Sequence, residues 1–418
     1  MPLLIGSIPN TQEDDIKLAK EILNGKVSTN ESIELLKNEF PTGTLFFNKG
    51  RDSLYFFLSL LNLSNSDEVI TQAFTCVAVV APIIWCGAKP VYVDIEKNSF
   101  NMDLSTLEKK IDENTRVVIV QHTFGNMVDM SEVRNIVDKV NLERKLERKI
   151  YIVEDCAHIF TKNTDNLNIG KYSDAYFFSF SQDKSISCTE GAAMIINDKK
   201  TKEIASSEYQ NIQELTKKEA RYTARYILLW NIIKKTYFKR LIPFTNITIG
   251  RILIIFFRSL GVIKKQASEN TLQFSEPQKM SNIQATLLLN QIRKAENFNN
   301  HRKNIVNIYN TRLDCTFKFN SNSNILIRYP VLLGNRKEIM SILRKKEIIL
   351  GRWYSSVVFP LNNSEQLEKV GYIIGSCPNS EFCSNHVLNI PTNIEMGKDD
   401  IEMVIDSINS FAKNINLQ

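Results

Sequence analysis

No C-x-x-C pair occurs anywhere in the 418 residues, and the seven cysteines are an odd number. Cys377 and Cys383 lack the partners of a zinc knuckle, so no metal site is expected. Complete disulfide pairing within one chain is excluded, which points to reduced, buried thiols in a cytosolic protein. No apolar run reaches the ~18 residues that a membrane span requires. The opening stretch MPLLIGSIPNTQEDD has no basic n-region and turns acidic at once, so no secretory signal is expected. There is no RNA- or DNA-reading motif, and a net charge of +6 does not by itself imply nucleic acid. What remains is an ordinary globular composition, 43% hydrophobic and 23% charged. A chain of this length can bury a large core, as two domains or one large domain with an annex.

Between residues 45 and 200 the pattern alternates. Strand-like runs EVITQAF (68–74), KPVYVDI (89–95), RVVIVQH (116–122), KIYIVED (149–155), DAYFFSF (174–180) and AAMIIND (192–198) are separated by helical stretches such as SLYFFLSLLNL and VAVVAPIIWCG. Asp103 is a natural N-cap for the helix in DLSTLEKKI. Alternating strands and helices predict an α/β domain with a mainly parallel sheet, whose ligands lie outside the carboxyl ends of the strands. The stretch 280–310 reads as one long helical segment, followed by the strand ILIRYPVLL and two further helices. The expected division is a large domain over 1–200, a basic apolar helical insertion over 201–270, and a long helix with a small C-terminal α/β domain over 271–418.

Polar residues gather at the predicted strand ends. YIVEDCAH ends a buried strand in Glu154–Asp155, with His158 close behind. A carboxylate in such a setting is costly unless a cation meets it. FFSFSQDKSISCTEGAAMII places Ser179 and Lys184 between two apolar runs. Taken alone, Lys184 is either a solvated loop lysine or a nucleophilic amine on the floor of a pocket. NKGRDSL is a loop-to-helix junction turning at Gly50, and a helix N-terminus suits a phosphate. A nucleophilic lysine, a carboxylate and a phosphate cradle are the parts of a pyridoxal phosphate site. His122 is read as a strand-end packing residue outside the site.

These stretches, with VIVQHTFGNMVDM, KMSNIQATLLLNQI and NHVLNIPTNIEM, resemble in order and spacing the DegT/DnrJ/EryC1/StrS sugar aminotransferases, pyridoxal-phosphate enzymes of fold type I. The resemblance spans most of the chain outside 200–270. It implies that Lys184 carries the cofactor and moves the substrate proton, and that Asp155 pairs with the pyridine nitrogen. It also implies that His158 lies near the phenolic oxygen, and that Ser179 with the backbone of Gly50, Arg51 and Asp52 holds the phosphate. It further implies a homodimer that passes an amino group, from glutamate by family analogy, to a nucleotide-linked keto-sugar in surface polysaccharide or glycan synthesis. Relatives with histidine at the lysine position act as dehydratases, and Lys184 favours transamination. The chain departs from the family where Cys76 replaces an aromatic and where Pro277-Gln278-Lys279-Met280 replaces Asn-Tyr-Arg-Met. Those departures leave a second reading, a non-catalytic or regulatory homologue that binds the cofactor. By its place in the tail motif, His386 is a candidate to approach the sugar.

Residues 217–265 hold twelve lysines and arginines against Glu219 alone, interleaved with YILLWNII and ILIIFF. Two readings stay open: a helical pair packed on the enzyme body with solvated lysines, or an interfacial element on anionic lipid. The corresponding locations are cytoplasmic, or cytoplasmic and peripheral on the inner membrane face.

Overall fold

The computed structural model describes residues 3–4, 10–144, 148–242, 247–263, 267–314, 318–319 and 325–413. Lys264, Lys265 and Cys315 lie outside the described residues. Seven strands form the central sheet: β1 (Leu45–Phe47), β2 (Glu68–Gln72), β3 (Lys89–Val93), β4 (Thr115–Gln121), β5 (Tyr151–Cys156), β6 (Ala175–Ser179) and β7 (Ala192–Ile196). Their order across the sheet is β1-β7-β6-β5-β4-β2-β3. Every neighbouring pair is parallel except those of β7, which runs against both β6 and β1. The α/β architecture with a mainly parallel sheet is therefore as expected.

The strand sequences explain this burial. β4, β6 and β7 are buried at every position, as strands covered by helices on both faces must be. Successive side chains point to opposite faces. Val117 and Ile119 pack with Leu54, Phe57 and Val79 on one side. Val118 and Val120 pack with Val133, Val137 and Val140 on the other.

Among the helices that precede or interrupt the strands are α1 (Glu13–Leu23), α2 (Gly50–Ser59) and α3 (Val77–Trp85). Asp103 caps the helix Leu104–Lys110 by accepting the Ser105 N–H at 3.0 Å. The basic segment forms α4 (Lys217–Thr236) and α5 (Ile249–Ser259). α4 opens on a Thr216/Glu219 capping box. Its Ala224 and Ile227 enter the same core as Ala19 and Ile22 of α1. α5 leans on the end of α4 so closely that a Cβ on Gly250 would lie 2.5 Å from the Tyr237 Cα.

The stretch 280–310 is not one helix but two, α6 (Asn282–Ile292) and α7 (Ala295–Arg312). Lys294 sits at the break, its Nζ 2.7 Å from both Asp14 and Asp15. Apolar spacing continues through the break, so periodicity does not report it. α6 packs in the core shared with α1, whereas Ile305, Val306 and Tyr309 of α7 belong to the C-terminal core. There β8 (Arg328–Leu332) pairs antiparallel with β9 (Val387–Pro391). Phe74, Phe100 and Phe124 from beyond the sheet strands join that core. They seat the C-terminal region over the carboxyl ends of the sheet. The six cysteines among the described residues are free thiols, four of them buried. No described helix is long and apolar enough to cross a membrane.

Candidate active site

The carboxyl ends of β4, β5 and β6 open into a cavity of about 380 Å³. That is within the range of small-molecule sites. Gly50, Arg51, Asp155, His158, Ser179 and Lys184 all line it, as does Cys76. Residues separated by 134 positions in the chain thus converge because parallel strands deliver their ends to one edge of the sheet.

Asp155 ends β5. One carboxylate oxygen accepts the Ala157 N–H at 2.8 Å, and the other has no hydrogen bond among the described residues. Burial raises the pKa of Asp155, and the Ala157 N–H, Lys184 and His122 oppose that shift. Lys184 stands in the loop between β6 and β7. Its Nζ makes no hydrogen bond or ion pair among the described residues and lies 5.3 Å from the centre of the Trp353 ring. His158 accepts the Phe124 N–H at Nδ1, which leaves Nε2 to face the Tyr354 hydroxyl at 3.3 Å. Burial, with Lys184 and Arg328 nearby, holds its pKa well below the usual histidine range, so the ring is neutral.

Ser179 closes β6 against the start of α2. A Cβ on Gly50 would come 3.4 Å from Ser179 Cβ and 3.5 Å from its Oγ. The backbone N–H groups of Gly50 and Arg51 begin a ten-residue helix and have no intrahelical acceptor. Asp52, one residue on, is 2% exposed, and burial pushes its pKa up to about 6 against the opposing charges of Lys49 and Arg51. Cys76 caps α3, its Sγ accepting the Ala78 N–H at 3.5 Å.

Several contributors were not anticipated. Asp183, beside the lysine, pairs with Arg328 of β8 at 2.9 Å, both side chains almost wholly buried. The guanidinium lies 3.4 Å over Trp353, which is stacked with Tyr354. The signal for Arg328 was present: an arginine inside the apolar run ILIRYPVLL must find a counter-charge. The basic segment also takes part. Tyr226 donates to Gln182, and Thr189 Oγ1 donates to the Thr223 carbonyl at 3.0 Å, so α4 grips both ends of the lysine loop. Arg302 of α7 holds its centre through the Ser185 carbonyl at 2.7 Å. Arg258 of α5 reaches the cavity wall.

His122 and His386 stay outside. His122 bonds Glu154 at 2.8 Å, accepts the Val128 N–H at 3.1 Å and is fully buried. Glu154 also accepts from Gly170 and Ser173. His386 packs on Phe382 with ring centres 4.4 Å apart and does not line this cavity.

The donor set can hold a particular kind of group. A helix start and a serine hydroxyl suit a phosphate. A buried carboxylate with one uncommitted oxygen suits a protonated ring nitrogen. An unpaired amine between them suits an aldehyde.

The chain resembles known proteins along most of its length. The chain is 26% identical over 426 residues to MJ1066 of Methanocaldococcus jannaschii, an uncharacterized protein, covering 94% of this chain and 96% of that one. It is 31% identical over 167 residues to the GDP-perosamine synthase of Vibrio cholerae, covering 40% of this chain and 42% of the relative. Among solved structures, Spr1654 of Streptococcus pneumoniae, described as a putative sugar aminotransferase in its PMP form, superposes with a TM-score of 0.68 at 20% identity. That match covers 98% of each chain. The sequence profile of one family matches residues 24–229 and 247–409. The chain belongs to the DegT/DnrJ/EryC1/StrS aminotransferase family.

Proposed function

We propose that the protein is a pyridoxal-phosphate-dependent aminotransferase that moves an amino group, from glutamate, to a keto-sugar carried on a nucleotide, for a surface polysaccharide or glycan. The observation that carries this reading is the unpaired Lys184 amine in one cavity with Asp155, Ser179 and the start of α2. When bound, pyridoxal phosphate supplies an electron-withdrawing ring that makes the donor's α-hydrogen acidic. Asp155 would keep the ring nitrogen protonated. Ser179 Oγ and the N–H groups of Gly50 and Arg51 would hold the phosphate. Lys184 Nζ would take the proton from the donor's α-carbon in the first half-reaction and deliver one to the sugar carbon that gains the amine in the second, general acid–base catalysis worth ~10²–10⁴-fold. His158, neutral and locked by Phe124 and Tyr354, would pack beside the bound group. A relative named GDP-perosamine synthase supports a nucleotide-linked sugar as acceptor. A homodimer acting in the cytoplasm completes the reading.

The test is the visible spectrum of purified protein with pyridoxal phosphate, before and after glutamate. The expected result is a lysine-dependent band near the visible edge that glutamate bleaches, and that Lys184→Ala lacks while also losing turnover. Turnover undiminished in Lys184→Ala would refute the assignment.

A further inference from the structure

One feature of α5 is not used by this chemistry. Its inward face, Leu253, Ile254 and Phe257, packs against Tyr226, Trp230 and Ile233. Its outward face is apolar as well. Ile252, Ile255, Phe256 and Leu260 recur at three- and four-residue spacing and are 39%, 69%, 52% and 59% exposed. Leu241 and Ile242, before the helix, are 54% and 49% exposed. Eight of the fifteen exposed large apolar side chains among the described residues fall between 232 and 260. A helix apolar on both faces is normally buried on both, so something covers this one.

Charge identifies what. No aspartate or glutamate occurs between Glu219 and Glu269, whereas ten lysines and arginines do. A second copy docked face to face would bring two such basic segments together, because a two-fold contact places each patch against itself. An anionic bilayer surface complements both properties: headgroup phosphates meet the basic side chains of the segment, and acyl chains take the apolar ones. We infer that α5 and the residues leading into it dock on an anionic membrane surface. α5 also lends Arg258 to the cavity wall, so docking brings the mouth of the site to the plane of the bilayer. The inference concerns a face outside the lysine chemistry and stands or falls without it.

The test is flotation of the full chain with vesicles of phosphatidylcholine alone or mixed with phosphatidylglycerol. The wild type is expected to float with the mixed vesicles, and less so at high salt, where screening shortens to a few ångströms. Ile255→Asp with Phe256→Asp, both exposed, is expected to lower the bound fraction at least tenfold with an unchanged melting curve. Lys239→Glu with Arg240→Glu is expected to abolish the preference for anionic vesicles, since each basic side chain near such a surface contributes roughly fivefold. Wild-type protein that stays at the bottom of the gradient overturns the inference, as does binding unchanged in both variants. If the aspartate variant halves the mass by light scattering while vesicle binding persists, the face joins two copies and the inference fails.

Discussion

Removing one member of the Asp183–Arg328 pair should be far worse than removing both. The two charges stand 2.9 Å apart, with side-chain exposures of 4% and 3%. At an effective dielectric of ~20 their attraction is about 6 kcal/mol. Desolvation of each ion costs several kcal/mol, so the net value of the intact pair is small. Arg328 Nε and Nη1 and Asp183 Oδ1 are buried without a hydrogen-bond partner among the described residues, which leaves part of that cost unrecovered. The asymmetry appears on truncation. Arg328→Met strands a buried carboxylate, and Asp183→Leu strands a buried guanidinium, each costing ~3–5 kcal/mol. Arg328→Met also loses the contact over Trp353, worth ~0.5–2 kcal/mol. The double variant strands no charge and should lie within ~1–2 kcal/mol of wild type. Urea unfolding of the cofactor-free protein, followed by circular dichroism, closes the cycle. A coupling energy below ~1 kcal/mol, with additive single effects, refutes the argument that this pair is held by mutual need.

Two further outcomes follow from the geometry. The folded-state pKa of Asp52 is raised to about 6 from an ordinary 3.8 by burial. The folded state therefore binds more protons between those values, and stability falls as pH rises through them. At ~1.4 kcal/mol per unit, Asp52→Asn should recover about 2–3 kcal/mol at pH 7.5 relative to its effect at pH 4. Parallel stability–pH curves for the two proteins would contradict this. Gly125 has φ +95°, and a Cβ there would lie 2.3 Å from the Ile325 carbonyl oxygen, a backbone atom that cannot swing aside. Gly125→Ala should cost more than ~2 kcal/mol in thermal or urea unfolding, and a change within 0.5 kcal/mol would show that the 325 segment yields.

Much of the sheet was legible because buried parallel strands are short apolar runs, and runs such as TRVVIVQ and AYFFS can hardly be anything else. The cavity-lining positions Gly50, Arg51, Asp155, His158, Ser179 and Lys184 were legible for a related reason. Strand ends and loop-to-helix junctions are local features, and their order along the chain matched a family pattern. The break at Lys294 was not legible, because it answers to Asp14 and Asp15, some 280 positions away. Trp353 and Tyr354 escaped for the same reason: their place depends on how the C-terminal strands seat over the sheet.

By itself, then, the sequence determined most of the sheet strands and many of the helices, and which polar side chains stand at their ends. Those are consequences of spacing and of local backbone preference. Only the tertiary structure decided that the basic segment grips the lysine loop through Tyr226 and Thr223, and that α5 turns one apolar face inward and another out. A residue's periodicity fixes the side of its own helix, but what covers that side is set by elements far along the chain. Contacts of that kind exist only once the long-range packing has formed.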